Sequence, residues 1–253
     1  MEKYKLIVML TCHENKESLK DSIENILKFN ENVCILVNDG TNENLEDLNN
    51  ENVHIIKRKV AYSRFDTMVP LHIELKDYMI EKNIISDYVV LLSSNQLFIK
   101  KHLYDFIVSF DASYFERQMD DGCITQLLRH EVFKKCYNEL GKDNFKYQSN
   151  HDGMFFTYEI FNNMMNFFDG FRGLKIDFHG EEFLYVAYLM KNMTIEKLAK
   201  FEKYNYWQPE WRKTLDPIKL DELKRCIENN YYIVKRVSRD INNEVRKYVR
   251  EME

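Results

Sequence analysis

Tyr88-Val89-Val90-Leu91-Leu92-Ser93-Ser94-Asn95-Gln96 is the stretch on which the reading of this chain turns. Its first five residues form a continuous apolar run, as a strand covered on both faces requires. Four uncharged polar residues follow at once, so the strand ends in a loop rich in hydrogen-bonding groups and free of carboxylates. Working back, Met68, Leu71, Leu75, Met79 and Ile80 fall at helical spacing and predict a helix that feeds this strand.

The same alternation continues toward the N-terminus. Residues 5–10 read as a buried strand ending in Thr11-Cys12-His13-Glu14. Leu19, Ile23, Ile26 and Leu27 mark a helix over residues 16–29 with Asn15 as its N-cap. Residues 33–37 form a second strand closed by the turn signal Asn38-Asp39-Gly40, and residues 53–56 a third. This order predicts an α/β fold with a mostly parallel central sheet flanked by helices. Ligands of such sheets bind beyond the carboxyl ends of the strands, where the polar clusters at 11–14, 38–41 and 93–96 lie. Residues 1–110 therefore read as a nucleotide-binding half. Residues 111–237 read as an acceptor and catalytic half of the same single domain, with a C-terminal helix over 238–253.

In that second half, residues 158–168 and 181–191 have helical patterns. Between them, residues 169–180 hold three of the seven glycines, a loop leading into a helix. The Met- and Phe-rich run 154–168 reads as packing.

A net charge of −5 argues against a nucleic-acid binder. The five cysteines show no paired or zinc-binding spacing, which suits reduced thiols in a cytosolic protein. The N-terminal residues resemble no signal peptide, and no apolar run nears the roughly 20 residues of a membrane helix. These features predict a cytoplasmic location. The basic, amphipathic C-terminal stretch reads either as a surface resting on the inner face of an anionic membrane or as a helix packed on the body. Asp240, Glu244 and Glu251 favour packing.

Several segments, taken in order, resemble the core-2/I-branching N-acetylglucosaminyltransferases. Residues 58–82, followed by 87–96, are similar to that family's helix leading into a strand that ends Leu-Ser-Gly-x-Asp. Asn95 and Gln96 depart from it, standing where the family often has Asp-aromatic-Pro. Asp152-Gly153-Met154-Phe155-Phe156-Thr157 resembles the stretch before the family's acceptor-side helix. His179-Gly180-Glu181-Glu182-Phe183-Leu184 resembles its Pro-Asp-Glu-aromatic motif. Tyr206-Trp207, then Asp216-Pro217-Ile218-Lys219-Leu220, resemble its Trp and x-Pro segments, and Tyr232-Ile233-Val234-Lys235-Arg236-Val237 its basic segment. The family's disulfides are absent.

The resemblance implies a GT-A fold and metal-free transfer from a nucleotide sugar, with a UDP-sugar expected, to a glycan or lipid-linked glycan. It makes Glu182 the candidate base, with Glu181 the adjacent alternative. Consecutive helical residues point apart, so at most one reaches the acceptor. A carboxylate there also simply complements the helix dipole. Lys235 and Arg236 are the candidate diphosphate cations, against a plain reading as a solvated basic patch. The chain lacks any Asp-x-Asp, and neutral oxygens such as those of Ser94 and Asn95 rarely hold a divalent ion on a diphosphate. No metal or other cofactor is expected. Trp207 and Asp152 are candidates for the sugar side, and Asp39 and His13 for the nucleotide. Arg225, Arg212 and Trp211 are weaker candidates. The Lys-, Asn- and Ile-rich composition suits a bacterial enzyme of surface polysaccharide synthesis. A sugar-phosphate nucleotidyltransferase is the rival enzyme class, although Thr11-Cys12-His13-Glu14 lacks the glycine its phosphate loop would need. A non-catalytic glycan-binding relative is the third reading.

Overall fold

A computed structural model describes residues 3–12, 15–59, 66–118, 121–207 and 216–252. The first half forms as its pattern dictates. Strand β1 (Lys3–Cys12) leads to helix α1 (Lys16–Phe29), whose N-cap Asn15 accepts the Ser18 amide at 2.9 Å. Then come β2 (Val33–Asp39), β3 (Val53–Lys57), α2 (Val69–Glu81) and β4 (Ile85–Ser93). Strand β2 is buried throughout and continues through Asn38 and Asp39, so the expected turn begins only at Gly40.

The rest is built from shorter pieces. They are β5 (Gln96–Phe98), α3 (Leu103–Ile107), β6 (Ala112–Tyr114), β7 (Arg117–Gln118), α4 (Asp121–Leu127), α5 (Glu131–Leu140), β8 (Tyr147–Gln148), β9 (Phe155–Thr157) and α6 (Tyr158–Phe167). After them come α7 (Glu181–Asn192), β10 (Leu198–Lys200), β11 (Asn205–Tyr206), α8 (Leu220–Glu228), β12 (Ile233–Lys235) and α9 (Glu244–Glu251).

The central sheet has seven strands in the order β10-β6-β9-β4-β1-β2-β3. It is mostly parallel and flanked by helices, as the sequence pattern predicts. Only β9 runs against its neighbours β4 and β6. Residues Leu6 to Leu10, Val33 to Val37 and Val89 to Leu92 are almost wholly buried, each such side chain contributing about 1.5–3 kcal/mol by leaving water. Met154, Phe155, Phe156, Phe161, Met164, Met165 and Phe168 join the same core, which is the packing role expected for that run. Cys12, Cys34, Cys136 and Cys226 are free and buried.

Chain order reverses at β1, with β2 on one side and β4 on the other. The carboxyl ends of β1 and β4 thus flank a topological switch point, the place where open α/β sheets bind ligands. A second sheet, β11-β12-β5, stands just beyond the end of β4.

The last helix is confined to Glu244–Glu251, shorter than the 238–253 expected, and it packs on the body. Arg246 is 1% exposed; it pairs with Asp21 of α1 and donates to the Ser94 carbonyl at 3.1 Å. Lys28 donates to the carbonyl of Arg250 at 2.7 Å. Among the described residues, no helix is long and apolar enough to cross a membrane.

Candidate functional site

The turn after β4 is tied up within itself. The Ser93 amide donates to Gln96 Oε1 at 3.0 Å, and the Ser93 hydroxyl donates to Asn95 Oδ1 at 2.7 Å. Its backbone is held from the far end of the chain, since the Val237 amide donates to the Asn95 carbonyl at 3.0 Å. Ser94 is buried and Asn95 half-buried.

Two further segments reach this turn by register. Because β9 is antiparallel to β4, the residues entering β9 lie at the carboxyl end of β4. The Leu91 amide donates to the Met154 carbonyl and the Gly153 amide to the Leu91 carbonyl. That places Asp152 beside the turn. Gly153 has φ +93°, and a Cβ there would lie 1.7 Å from Asn205 Nδ2, so only glycine fits. Strand β12 pairs antiparallel with β5, Lys235 opposite Gln96, and β11 pairs with β12 so that Trp207 follows alongside.

The outcome is a compact group. Lys235 forms an ion pair with Asp152, and its ammonium lies 4.4 Å from the centroid of the Trp207 ring. Burial pushes the Lys235 pKa down, and the charges of Arg236 and Arg239 push the same way. The paired Asp152 carboxylate favours the charged ammonium and so opposes that shift. Arg236, half-buried, carries a left-handed backbone at φ +67°, a conformation that costs a non-glycine residue about 1–2 kcal/mol.

The group continues through His151, whose Nε2 is 3.3 Å from Asp152 Oδ1 and whose Nδ1 is 3.5 Å from Glu181 Oε1. His179 Nδ1 is also 3.5 Å from that oxygen. Glu181 and Glu182 open α7, which comes this close because Gly180 packs directly on the Phe133 ring.

The two carboxylates differ sharply. Glu181 is wholly buried. Its Oε2 accepts the Thr67 hydroxyl at 2.7 Å and the Met68 amide at 3.1 Å. Burial alone would raise its pKa, but the His179 ring 3.5 Å away, the charge that His151 carries in acid and the Thr67 hydroxyl hold it near 2. Glu182 is half-buried, and burial, then the Glu181 charge, push it up to about 7. A carboxylate poised near neutrality can take a proton from a hydroxyl.

Asp39 stands at the same edge of the sheet, but its oxygens are engaged. Oδ1 accepts the Thr41 amide at 2.7 Å and its hydroxyl at 2.8 Å, and Oδ2 meets Lys57 at 3.0 Å. A hollow of about 380 Å³ adjoins it, lined by Asn42, Asn44, Leu45 and Lys57 among others. Arg225 lies on the exposed face of α8. His13, Trp211 and Arg212 lie outside the described residues.

Sequence reasoning passed over His151, Thr67 and His179. The signal available was their place beside Asp152, at the mouth of α2 and beside Glu181.

The chain is similar to the apo form of the glycosyltransferase GlyE of Streptococcus pneumoniae TIGR4, at 11% identity and a TM-score of 0.45 over 99% of this chain. It spans 61% of that GlyE chain. Mouse xyloside xylosyltransferase 1 matches at 11% identity and a TM-score of 0.43, covering 93% of this chain and 98% of that one. No family model matches the chain, and no curated protein matches it by sequence.

Proposed function

We propose that the chain is an inverting, metal-independent glycosyltransferase of GT-A type, acting on a nucleotide sugar. The observation that carries this reading is the gathering of Asp152, Lys235 and Trp207 against the Ser94-Asn95 turn at the switch point, joined through His151 to the Glu181-Glu182 pair.

In this mechanism the Glu182 carboxylate takes the proton of the acceptor hydroxyl as its oxygen attacks the anomeric carbon. The bond from that carbon to the diphosphate oxygen breaks, and the diphosphate leaves with the bonding electrons. Lys235 and Arg236 meet the charge that develops there, an effect worth several kcal/mol in such clamps. Trp207 offers a face to the sugar, and Asp152 exchanges Lys235 for sugar hydroxyls as the diphosphate arrives. The uncharged oxygens after β4 favour cationic side chains over a divalent ion as the diphosphate's partner. A UDP-sugar donor, a glycan or lipid-linked glycan acceptor and a role in bacterial surface polysaccharide synthesis complete the proposal.

The test is a panel of UDP-, GDP- and CMP-sugars in EDTA, read by thermal shift and by nucleotide release. One donor class should stabilise the protein at saturation, by about 2.7 kcal/mol at 100 times its Kd. Glu182→Gln should lower turnover by about 10²- to 10⁴-fold. Nucleotide release that needs added metal, or that survives in Glu182→Gln, overturns the mechanism.

A further inference from the structure

The carboxylate beside the proposed base is faced by three separate parts of the chain. Thr67 and the Met68 amide reach it from the start of α2, His151 from the loop before β9, and His179 from the loop before α7. Glu181 is 0% exposed, so it has no path to a hydroxyl in the crevice. His179, with 43% of its side chain exposed, is the part of this arrangement that meets solvent.

We propose that Glu181 is a positioning residue, a fixed buried anion that sets the proton affinity of Glu182, with His179 as its titratable counter-ion. The proposal rests on the reading of Glu182 as the base. Adjacent carboxylates in one poorly solvated site do not both ionise freely, and the one with fixed donors keeps its charge. Thr67 and the Met68 amide are those donors.

The other groups facing Glu181 stay uncharged near neutrality. Burial holds His151 down to about 4 and His72 to about 3, and it raises Tyr185 well above its usual value. Beyond His151 lie Asp152 and Lys235, which neutralise each other. His179 is different: the Glu181 carboxylate 3.5 Å away lifts its pKa, and Glu182 and Asp177 add to the effect. While protonated it offsets the Glu181 charge and eases ionisation of Glu182. Once it loses its proton, Glu181 acts on Glu182 in full.

The experiment is a pH titration of carboxyl carbons by NMR on the full chain labelled with ¹³C-glutamate, using Glu182→Gln to assign the resonance. It requires no substrate. His179→Gln removes the counter-charge, and the Glu182 midpoint should rise by about one pH unit. Adding Glu181→Gln to that variant should bring the midpoint back down by at least as much. These opposite displacements are ones that a purely structural role would not produce. A Glu182 midpoint that His179→Gln leaves in place overturns the proposal, as does a double variant that stays at the single variant's value. Circular dichroism checks each fold, and His179→Gln alone decides if the double variant does not fold. The proposed sugar transfer is judged separately, by nucleotide release in Glu182→Gln, so either idea can fail while the other stands.

Discussion

Replacing Lys235 with Met isolates the energetics of the site. The Lys235 and Asp152 side chains are 8% and 12% exposed, so the pair is buried rather than solvated. Removing the ammonium strands a buried carboxylate, and breaking such a pair costs about 3–5 kcal/mol. An exposed pair would cost about 1 kcal/mol or less. The double variant Lys235→Met/Asp152→Asn removes both charges and should recover most of that loss. Urea denaturation of the wild type, both single variants and the double variant yields the coupling energy, with unchanged slopes showing that the folded state is retained. Asp152→Asn adds an independent signature. With its partner gone, the Lys235 pKa, already lowered by burial, falls further, and the unfolded chain binds one more proton over a wider interval than in the wild type. The stability of this variant should therefore rise with pH, by up to about 1.4 kcal/mol per unit. A cost below about 1 kcal/mol for Lys235→Met, with additive singles, would mean that water reaches the pair and that it behaves as an exposed one.

Because Glu182 must be ionised to act as a base, kcat/KM should climb with pH and level off above about 7; a flat profile from pH 5 to 8 would remove it from that role. The two carboxylates affect stability in opposite senses. The raised Glu182 disfavours the folded state as pH rises from its unfolded value, near 4.5, to about 7. The depressed Glu181 contributes stability that is lost as pH falls from 4.5 toward 2, and Glu181→Gln should flatten the acid side of the stability curve. Gly153→Ala should cost about 1–3 kcal/mol by thermal denaturation, since its Cβ collides with Asn205 and the backbone there is left-handed. Arg246→Met should cost about 3 kcal/mol, whereas Lys247→Met on the exposed face of the same helix should stay within about 0.5 kcal/mol.

The parallel half of the sheet was legible because its signals are local. Asn15 caps the helix it precedes, and the apolar runs at 33–37 and 88–92 are long enough to declare buried strands. The antiparallel β9 was not legible as a strand. Three residues, Phe155-Phe156-Thr157, carry no period, and their direction follows from pairing with Val89 and Val90. The same holds for β12, whose partner Gln96 lies far back in the chain. Helical geometry says that Glu181 and Glu182 diverge, but which one turns inward depends on Thr67, 114 residues earlier. Asp39 shows the reverse limit. Its place at a strand end was readable, whereas its engagement by Thr41 and Lys57 depends on folded neighbours.

The turn at Ser94-Asn95 leans on Lys235, Val237 and Arg246, all more than a hundred residues downstream. During synthesis, the strands that form its edge emerge long before the segment that fixes it. The crevice therefore acquires its final shape only when that later segment has docked. A nascent chain stalled anywhere between the two would carry the strands of the switch point with neither the cation nor the scaffold that completes them, so activity and full folding should arrive together.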